Sequence, residues 1–294
     1  MPETSLPPPS SAAAPLLEVR GLSKRFGGVA AIRDVDLTVA PGSVHAVIGP
    51  NGAGKTSVFN CISSFVQPTS GTIRLDGERI DGLPAHVVAR HGVARTYQNV
   101  RLFPGMTGLE NVLVGAHRTL SVPGWQAVFA TPRFRREEAA AREKAMAILE
   151  FAGVAHHAGT LARHLAYGDQ RRLEIARAVV AGPKLLLLDE PAAGMNPAEG
   201  AGLVELIRRI RAELGITVVL IEHHMRVVMA IADRITVIDR GAVLAEGTPA
   251  EIQADDSVIA AYLGTRRDTP AEAAAEDASD AGAGAKTGMK AVRA

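Results

Sequence analysis

The 294-residue sequence holds a single cysteine, Cys61, few aromatic residues, no long apolar run and no excess of either charge. One cysteine excludes an internal disulfide and suits a reducing compartment. Aromatic residues make up 4% against 47% hydrophobic overall, so the core must be aliphatic. No stretch approaches the roughly 18 uninterrupted apolar residues of a membrane span. Apolar blocks such as Leu185 to Leu188 and Val218 to Ile221 have the length of buried strands. With 32 basic and 31 acidic residues, the charge balance gives no electrostatic case for nucleic acid as the main partner. The N-terminus does not read as a signal peptide. It carries Glu3 and no early Lys or Arg, and Pro7, Pro8 and Pro9 would break an apolar helix. The expectation is a cytoplasmic protein; if it works at a membrane, something else must hold it there.

Residues 1–15, rich in Pro, Ser and Ala, and residues 265–294, without apolar periodicity, read as disordered tails. Between them, short apolar runs alternate with amphipathic stretches. Strands are predicted at Leu17 to Arg20, Leu37 to Val39, Val44 to Ile48, Thr72 to Leu75, Lys184 to Asp189 and Thr217 to Ile221. A hairpin-like pair follows at Arg234 to Asp239 and Val243 to Glu246, and Lys55 to Phe65 is helix-like. Buried strands interleaved with helices mean an α/β fold with both sheet faces covered. From about residue 100 to 176 the texture is helical, with helices predicted at Glu137 to Phe151 and Leu173 to Val180. This part reads as a subdomain inserted into the α/β domain.

Gly49, Pro50, Asn51, Gly52, Ala53, Gly54, Lys55 and Thr56, followed by Ser57, match the spacing G-x-x-x-x-G-K-[ST]. Each position has a physical reason. Glycines let the chain curl so that N–H groups point at phosphate oxygens. Lys55 reaches the β- and γ-phosphates as a point charge, and the Thr56 hydroxyl ligates Mg²⁺. The match follows an apolar strand and opens a helix whose positive end faces the same anion. The binding of ATP with Mg²⁺ is the expectation. Cys61, on that helix, reads as a small buried residue.

The run Leu185 to Leu188 ends in two carboxylates, Asp189 and Glu190. A strand buried on both faces can place charge only at its end, and in an open α/β sheet that end faces the phosphate loop. Asp189 is then placed to hold Mg²⁺, and Glu190 to orient or deprotonate the attacking water.

Over nearly all of residues 16–264 the chain resembles the ATP-binding cassettes of ABC transporters. The resemblance implies a P-loop NTPase core with a peripheral antiparallel β subdomain and an inserted α-helical subdomain. Thr96, Tyr97 and Gln98 are similar to the family's glutamine loop, in which Gln98 would touch Mg²⁺ or the attacking water. Leu165, Ala166, Tyr167, Gly168, Asp169 and Gln170 resemble its signature segment, which caps the γ-phosphate of ATP held by the opposite subunit. Ala166 stands where the family has serine, and Asp169 where glutamine is common. The missing hydroxyl contact corresponds to roughly 1.5–3 kcal/mol if nothing replaces it. Pro191 to Pro197 resembles the loop crossing the dimer seam, with Asn196 in place of its usual aspartate. His223, after the strand ending at Ile221, takes the place of the switch histidine, with adjacent His224 as the rival assignment. Phe26 resembles the aromatic that stacks on adenine.

Several segments, among them Arg95 to Phe103, His117 to Glu138, Ile221 to Met225 and Ala261 to Gly264, resemble the larger ATPase subunit of branched-chain amino acid importers. The resemblance implies ATP hydrolysis coupled to transport, and a dimer with a copy of this chain or a paralogue. It also implies two membrane permeases whose cytoplasmic helix docks near residues 98–110, and indirectly a periplasmic binding protein. The place of work would be the cytoplasmic face of the membrane. Other cargo (urea, amides, lipopolysaccharide), a soluble cassette acting on nucleic acid or the ribosome, and a degenerate regulatory subunit stay open as alternatives.

Overall fold

A computed structural model describes residues 14–116 and 131–265. The expectations for the two tails, and most of that for His117 to Glu138, lie outside the described residues. The centre is a six-stranded sheet of order β10-β9-β3-β8-β7-β6. Its strands are β3 (Val44–Ile48), β6 (Val93–Arg95), β7 (Leu185–Asp189), β8 (Thr217–Ile221), β9 (Arg234–Asp239) and β10 (Ala242–Gly247). Neighbours run parallel, except for β10, which returns antiparallel on β9. Every residue of β3, β7 and β8 is buried, as covering both faces requires. Alternate side chains divide the core. Ala46, Ile48, Leu186, Leu188 and Leu220 face one hydrophobic cluster, while Val47, Leu187, Val219 and Ile221 face the other.

The second cluster is closed by α1 (Lys55–Ile62) and by an antiparallel sheet of order β2-β1-β4-β5. That sheet comprises β1 (Leu17–Phe26), β2 (Val29–Val39), β4 (Ser70–Leu75) and β5 (Glu78–Arg79). Both β1 and β2 run well beyond the short apolar stretches predicted for them. One face of this sheet meets water, so its outer ends carry exposed residues such as Arg25, Arg33 and Asp34 that hide the alternation. Cys61 lies buried on α1, and burial pushes its thiol up to about 11, which keeps it protonated and inert.

After β5 comes α2 (Ala85–His91). Between β6 and β7 the chain forms α3 (Gly108–Ala116), α4 (Pro132–Phe151) and α5 (Tyr167–Val179), with single 3-10 turns at Ala155–His157 and Ala162–His164. Helix α4 starts earlier than predicted because Thr131 Oγ1 caps the Phe134 amide and Pro132 fills the first turn. Helix α5 begins at Tyr167 rather than Leu173. Its first turns bury Arg171 and Glu174 as a 3.0 Å ion pair, so charged residues occupy core positions and break the apolar period. The remaining helices are α6 (Pro197–Leu214), α7 (Met225–Ile231), α8 (Pro249–Gln253) and α9 (Asp256–Thr265). Among the described residues, no helix is long and apolar enough to cross a membrane.

One buried titratable group sits inside the central sheet. His45 of β3 shares a 2.8 Å hydrogen bond between Nε2 and Thr236 Oγ1 of β9. Burial, with help from Arg234, pushes its pKa from 6.5 down to about 4. The folded chain therefore keeps His45 neutral where the unfolded chain protonates it, and stability is lost as pH falls from 6.5 toward 4. Urea unfolding at pH 7 and pH 5.5 is expected to show about 1 kcal/mol less stability at the lower pH from this residue. In His45→Asn that part of the difference should vanish; an equal pH slope in both proteins refutes the assignment.

Candidate nucleotide site

The phosphate loop leaves β3 at Gly49 and enters α1 at Lys55. Its shape is set by neighbours as much as by its own sequence. Gly49 has φ 147°, and a Cβ there would overlap the Ile238 carbonyl of β9. Gly54 has φ 105°, and a Cβ would sit 2.5 Å from the Ala31 carbonyl oxygen of β2. The Gly241 amide, in the turn after β9, donates to Ala53 O at 2.9 Å and fixes the far side of the curl. Asn51, Gly52 and Thr56 are exposed at its crest, and Ser57 is half-buried. The first amides of α1 have no partner within the helix and open onto the same space. Lys55 crosses beneath, its Nζ donating to Gly49 O at 2.7 Å and Pro50 O at 2.9 Å. Burial lowers the pKa of this amine, and the carboxylates of Glu190 and Asp189 oppose the shift.

Both carboxylates stand at the C-terminal end of β7, which β8 separates from β3. Asp189 is the last residue of β7 and is buried. Glu190 follows in the left-handed region at φ 47°, its amide donating to Ile221 O at 2.9 Å. Such a conformation costs a non-glycine residue roughly 1–3 kcal/mol and is found where surroundings over-determine it. It turns the Glu190 side chain toward two neighbours. Gln98 Nε2 donates to Glu190 Oε2 at 2.9 Å, and His223 Nδ1 lies 3.8 Å from the same oxygen. His224 turns away, with Nδ1 3.1 Å from Glu222 Oε2. Phe26 ends β1 and is 49% exposed, with Lys24 Nζ 5.1 Å from its ring centre.

The segment from Leu165 forms a separate feature. Leu165 is buried, Ala166 is the N-cap of α5 and makes no side-chain cap bond, and Tyr167 is 41% exposed. Gly168 fits against Glu199, where a Cβ would meet Oε1 at 3.1 Å. Asp169 turns to His157, Oδ2 to Nε2 at 3.2 Å. Among the described residues no hydrogen bond or ion pair joins residues 165–169 to residues 49–57. Asn196 accepts the Glu199 amide at 2.9 Å and forms a full capping box at the start of α6.

A phosphate loop and a strand-end carboxylate pair occur in many nucleotide-binding proteins; the extent of the similarity decides among them. The ABC transporter family model matches residues 32–193, more than half of the chain. The chain belongs to the ABC transporter family. It is an ATP-binding cassette with the P-loop ATPase fold of that family. A second model, described as a branched-chain amino acid ATP-binding cassette transporter, matches residues 242–268. The high-affinity branched-chain amino acid transport ATP-binding protein BraF of Pseudomonas aeruginosa is 54% identical over 250 residues, covering 85% of this chain and 98% of that protein. The corresponding LivG protein of Escherichia coli is 50% identical over the same shares. Among solved structures, the ADP conformation of the cassette MJ1267 superposes with a TM-score of 0.75 at 30% identity, over 86% of this chain and all of that one.

Four residues in and around the cassette's site escaped the reading of the sequence. Arg95 pairs with Asp189 at 2.9 Å. Glu222 is wholly buried and accepts the amides of Ala192, His223 and His224 at 2.9, 2.8 and 3.1 Å, tying the loop after β7 to the loop after β8. Arg171 donates to the carbonyls of Tyr97 and Gln98, both at 2.6 Å, and Glu174 accepts the Arg101 amide at 3.0 Å. Buried charge flanking a motif is the one signal that pointed to them. Replacing Gly49 tests how tightly the loop is specified. Gly49→Ala is expected to abolish nucleotide binding or folding, read by nucleotide affinity and thermal unfolding, whereas Gly52→Ala, whose Cβ meets nothing within 4 Å, should cost only its φ of 78°. Equal effects at the two positions refute the crowding argument.

Proposed function

We propose that this cassette is the ATP-hydrolysing subunit of an importer of branched-chain amino acids, peripheral on the cytoplasmic face of the membrane. The observation that carries the reading is the placing of Gln98, hydrogen-bonded to Glu190 Oε2, and of His223, whose Nδ1 lies 3.8 Å from that oxygen and 3.7 Å from Glu222, at the strand ends beside the phosphate loop. Lys55 and the loop amides neutralise the β- and γ-phosphates. The Thr56 hydroxyl and the Asp189 carboxylate are hard oxygen donors, a set that fits Mg²⁺. When bound, the cation would supply charge neutralisation at the phosphates. Glu190 orients or deprotonates the attacking water, Gln98 fixes the carboxylate by donating to Oε2, and His223 contacts the γ-phosphate. The exposed Phe26 stacks on adenine.

The signature segment makes no bond to its own phosphate loop, which supports a role on the nucleotide of a second cassette, either a copy of this chain or a paralogue. The amides at the start of α5 then supply an anion site across the seam. Closure on two nucleotides, and opening once the γ-phosphate contacts are lost, give the two-state element that a pair of permeases follows. A cleft of about 420 Å³ beside the glutamine loop, lined by Phe103, Val114, Glu174 and Arg177, suits a permease's cytoplasmic helix. The helices between β6 and β7 form the inserted subdomain, and the cleft lies where it meets α2 and β6. The names of BraF and LivG and the second family match support branched-chain amino acids as cargo, delivered by a periplasmic binding protein. A lipopolysaccharide export cassette of Haemophilus influenzae is only 32% identical, which disfavours that cargo.

Glu190→Gln is expected to bind ATP as the unsubstituted chain does and to turn it over at least about a hundredfold more slowly. Unchanged steady-state ATPase overturns the assignment of Glu190. Lys55→Ala is expected to lose nucleotide affinity, and tight ATP binding in that variant counts against the phosphate loop. Restored leucine uptake, when this chain replaces the cassette of a characterised branched-chain importer, tests the cargo.

A further inference from the structure

Arg95 ends β6, immediately before the glutamine loop, and its guanidinium bonds two other elements at once. Nη2 donates to Asp189 Oδ2 at 2.9 Å at the end of β7. Nη1 donates to Asn60 Oδ1 at 2.8 Å and Ser63 Oγ at 2.9 Å, at the far end of the helix that begins with Lys55 and Thr56. The guanidinium carbon lies 5.8 Å from the ring centre of Phe59 and 5.2 Å from that of Tyr97. The side chains of Arg95 and Asp189 are only 6% and 5% exposed. A buried ion pair is poor evidence of stability in itself, because desolvating two charges offsets their attraction. It earns its place where it fixes a geometry. Here one end of the guanidinium grips a carboxylate, and the other grips the helix that carries Thr56.

We propose that Arg95 is a positioning residue for the Mg²⁺ of the nucleotide site, holding Asp189 by Oδ2 in fixed relation to Thr56 and leaving Oδ1 for the hydrated cation. The proposal rests on the reading of Thr56 and Asp189 as the metal-facing pair. Groups that orient a metal ligand without touching the metal are typically worth 10–100-fold in affinity. A rival account treats Arg95 as a plain neutralising charge that competes with the cation. The two accounts differ in sign. A competitor's removal tightens Mg²⁺, whereas a positioner's removal frees a buried carboxylate to rotate and loosens it.

The test is Mg²⁺ titration of fluorescent ATP analogue binding to the purified full chain, with binding in EDTA as the metal-free reference. Arg95→Gln is expected to raise the half-saturating Mg²⁺ concentration about tenfold while changing metal-free binding less than about twofold. The double variant Asn60→Ala, Ser63→Ala keeps the ion pair and removes its anchor, at the added loss of one exchangeable bond from Ser63 Oγ to the Phe59 carbonyl, so it should fold even if Arg95→Gln does not. It is expected to shift the Mg²⁺ requirement in the same direction by a few-fold, and Arg95→Lys, with one donor group in place of the fork, should not restore it fully. An unchanged or lowered Mg²⁺ requirement in the double variant, or a lowered one in Arg95→Gln, overturns the proposal. Absence of any Mg²⁺ dependence in the unsubstituted chain overturns both this proposal and the metal-facing pair beneath it.

Discussion

A negative charge at the end of a strand buried on both faces needs a fixed partner, and much of this site follows from that requirement. Asp189 cannot be solvated as a surface carboxylate would be, so the fold supplies Arg95 from the neighbouring strand and Lys55 from the phosphate loop as positive charge. Glu190 then departs in the left-handed region and leaves the sheet for the crevice. Gln98 and His223 come from the ends of the elements on either side and meet it there. The chemistry gathers at the strand ends because those are the only places where an aliphatic sheet tolerates it.

What the sequence made legible is what that sheet dictates. Val44 to Ile48, Thr217 to Ile221 and Arg234 to Asp239 coincide with β3, β8 and β9, because strands covered on both faces are mostly apolar on both, with the few polar residues at their ends or, as His45 and Thr236, paired with each other. The phosphate loop was legible for a related reason: its glycines answer to crowding by Ile238 and Ala31, which leaves few residue choices. The outer halves of β1 and β2 were not legible, since a one-sided sheet permits charge on every second residue. The start of α5 was hidden by Arg171 and Glu174, whose burial is met by their mutual pairing and by backbone groups of the glutamine loop. Their positions can be read only after the glutamine loop is placed beside them.

The same buried pair joins parts that the sequence presents as separate motifs. Arg171 holds the carbonyls of two consecutive glutamine-loop residues, and Glu174 holds the amide of Arg101 three residues on. Charge-assisted bonds of this kind are short and strong. The helix that begins with the signature segment therefore carries the backbone of Gln98 with it. The side chain of Gln98 in turn touches Glu190, so the position of α5 bears on the carboxylate across a chain of named contacts rather than through distance alone.

Three departures from the family pattern raised the question of a degenerate cassette, and the structure gives each a different weight. Asn196 forms a complete capping box at α6, a place where asparagine and aspartate are near equals, so nothing structural is lost there. The carboxylate of Asp169 is turned to His157, which draws its charge toward a neighbour in its own chain. Ala166 is the one position where a side-chain contact is simply missing, because the N-cap of α5 has no hydroxyl to offer. The anion site at that helix end then rests on main-chain amides and on Gly168, whose lack of a Cβ lets Glu199 pack close. Those amides exist whatever residue stands at 166, so the proposed cap on a second cassette's nucleotide would be weakened by the substitution without losing its basis.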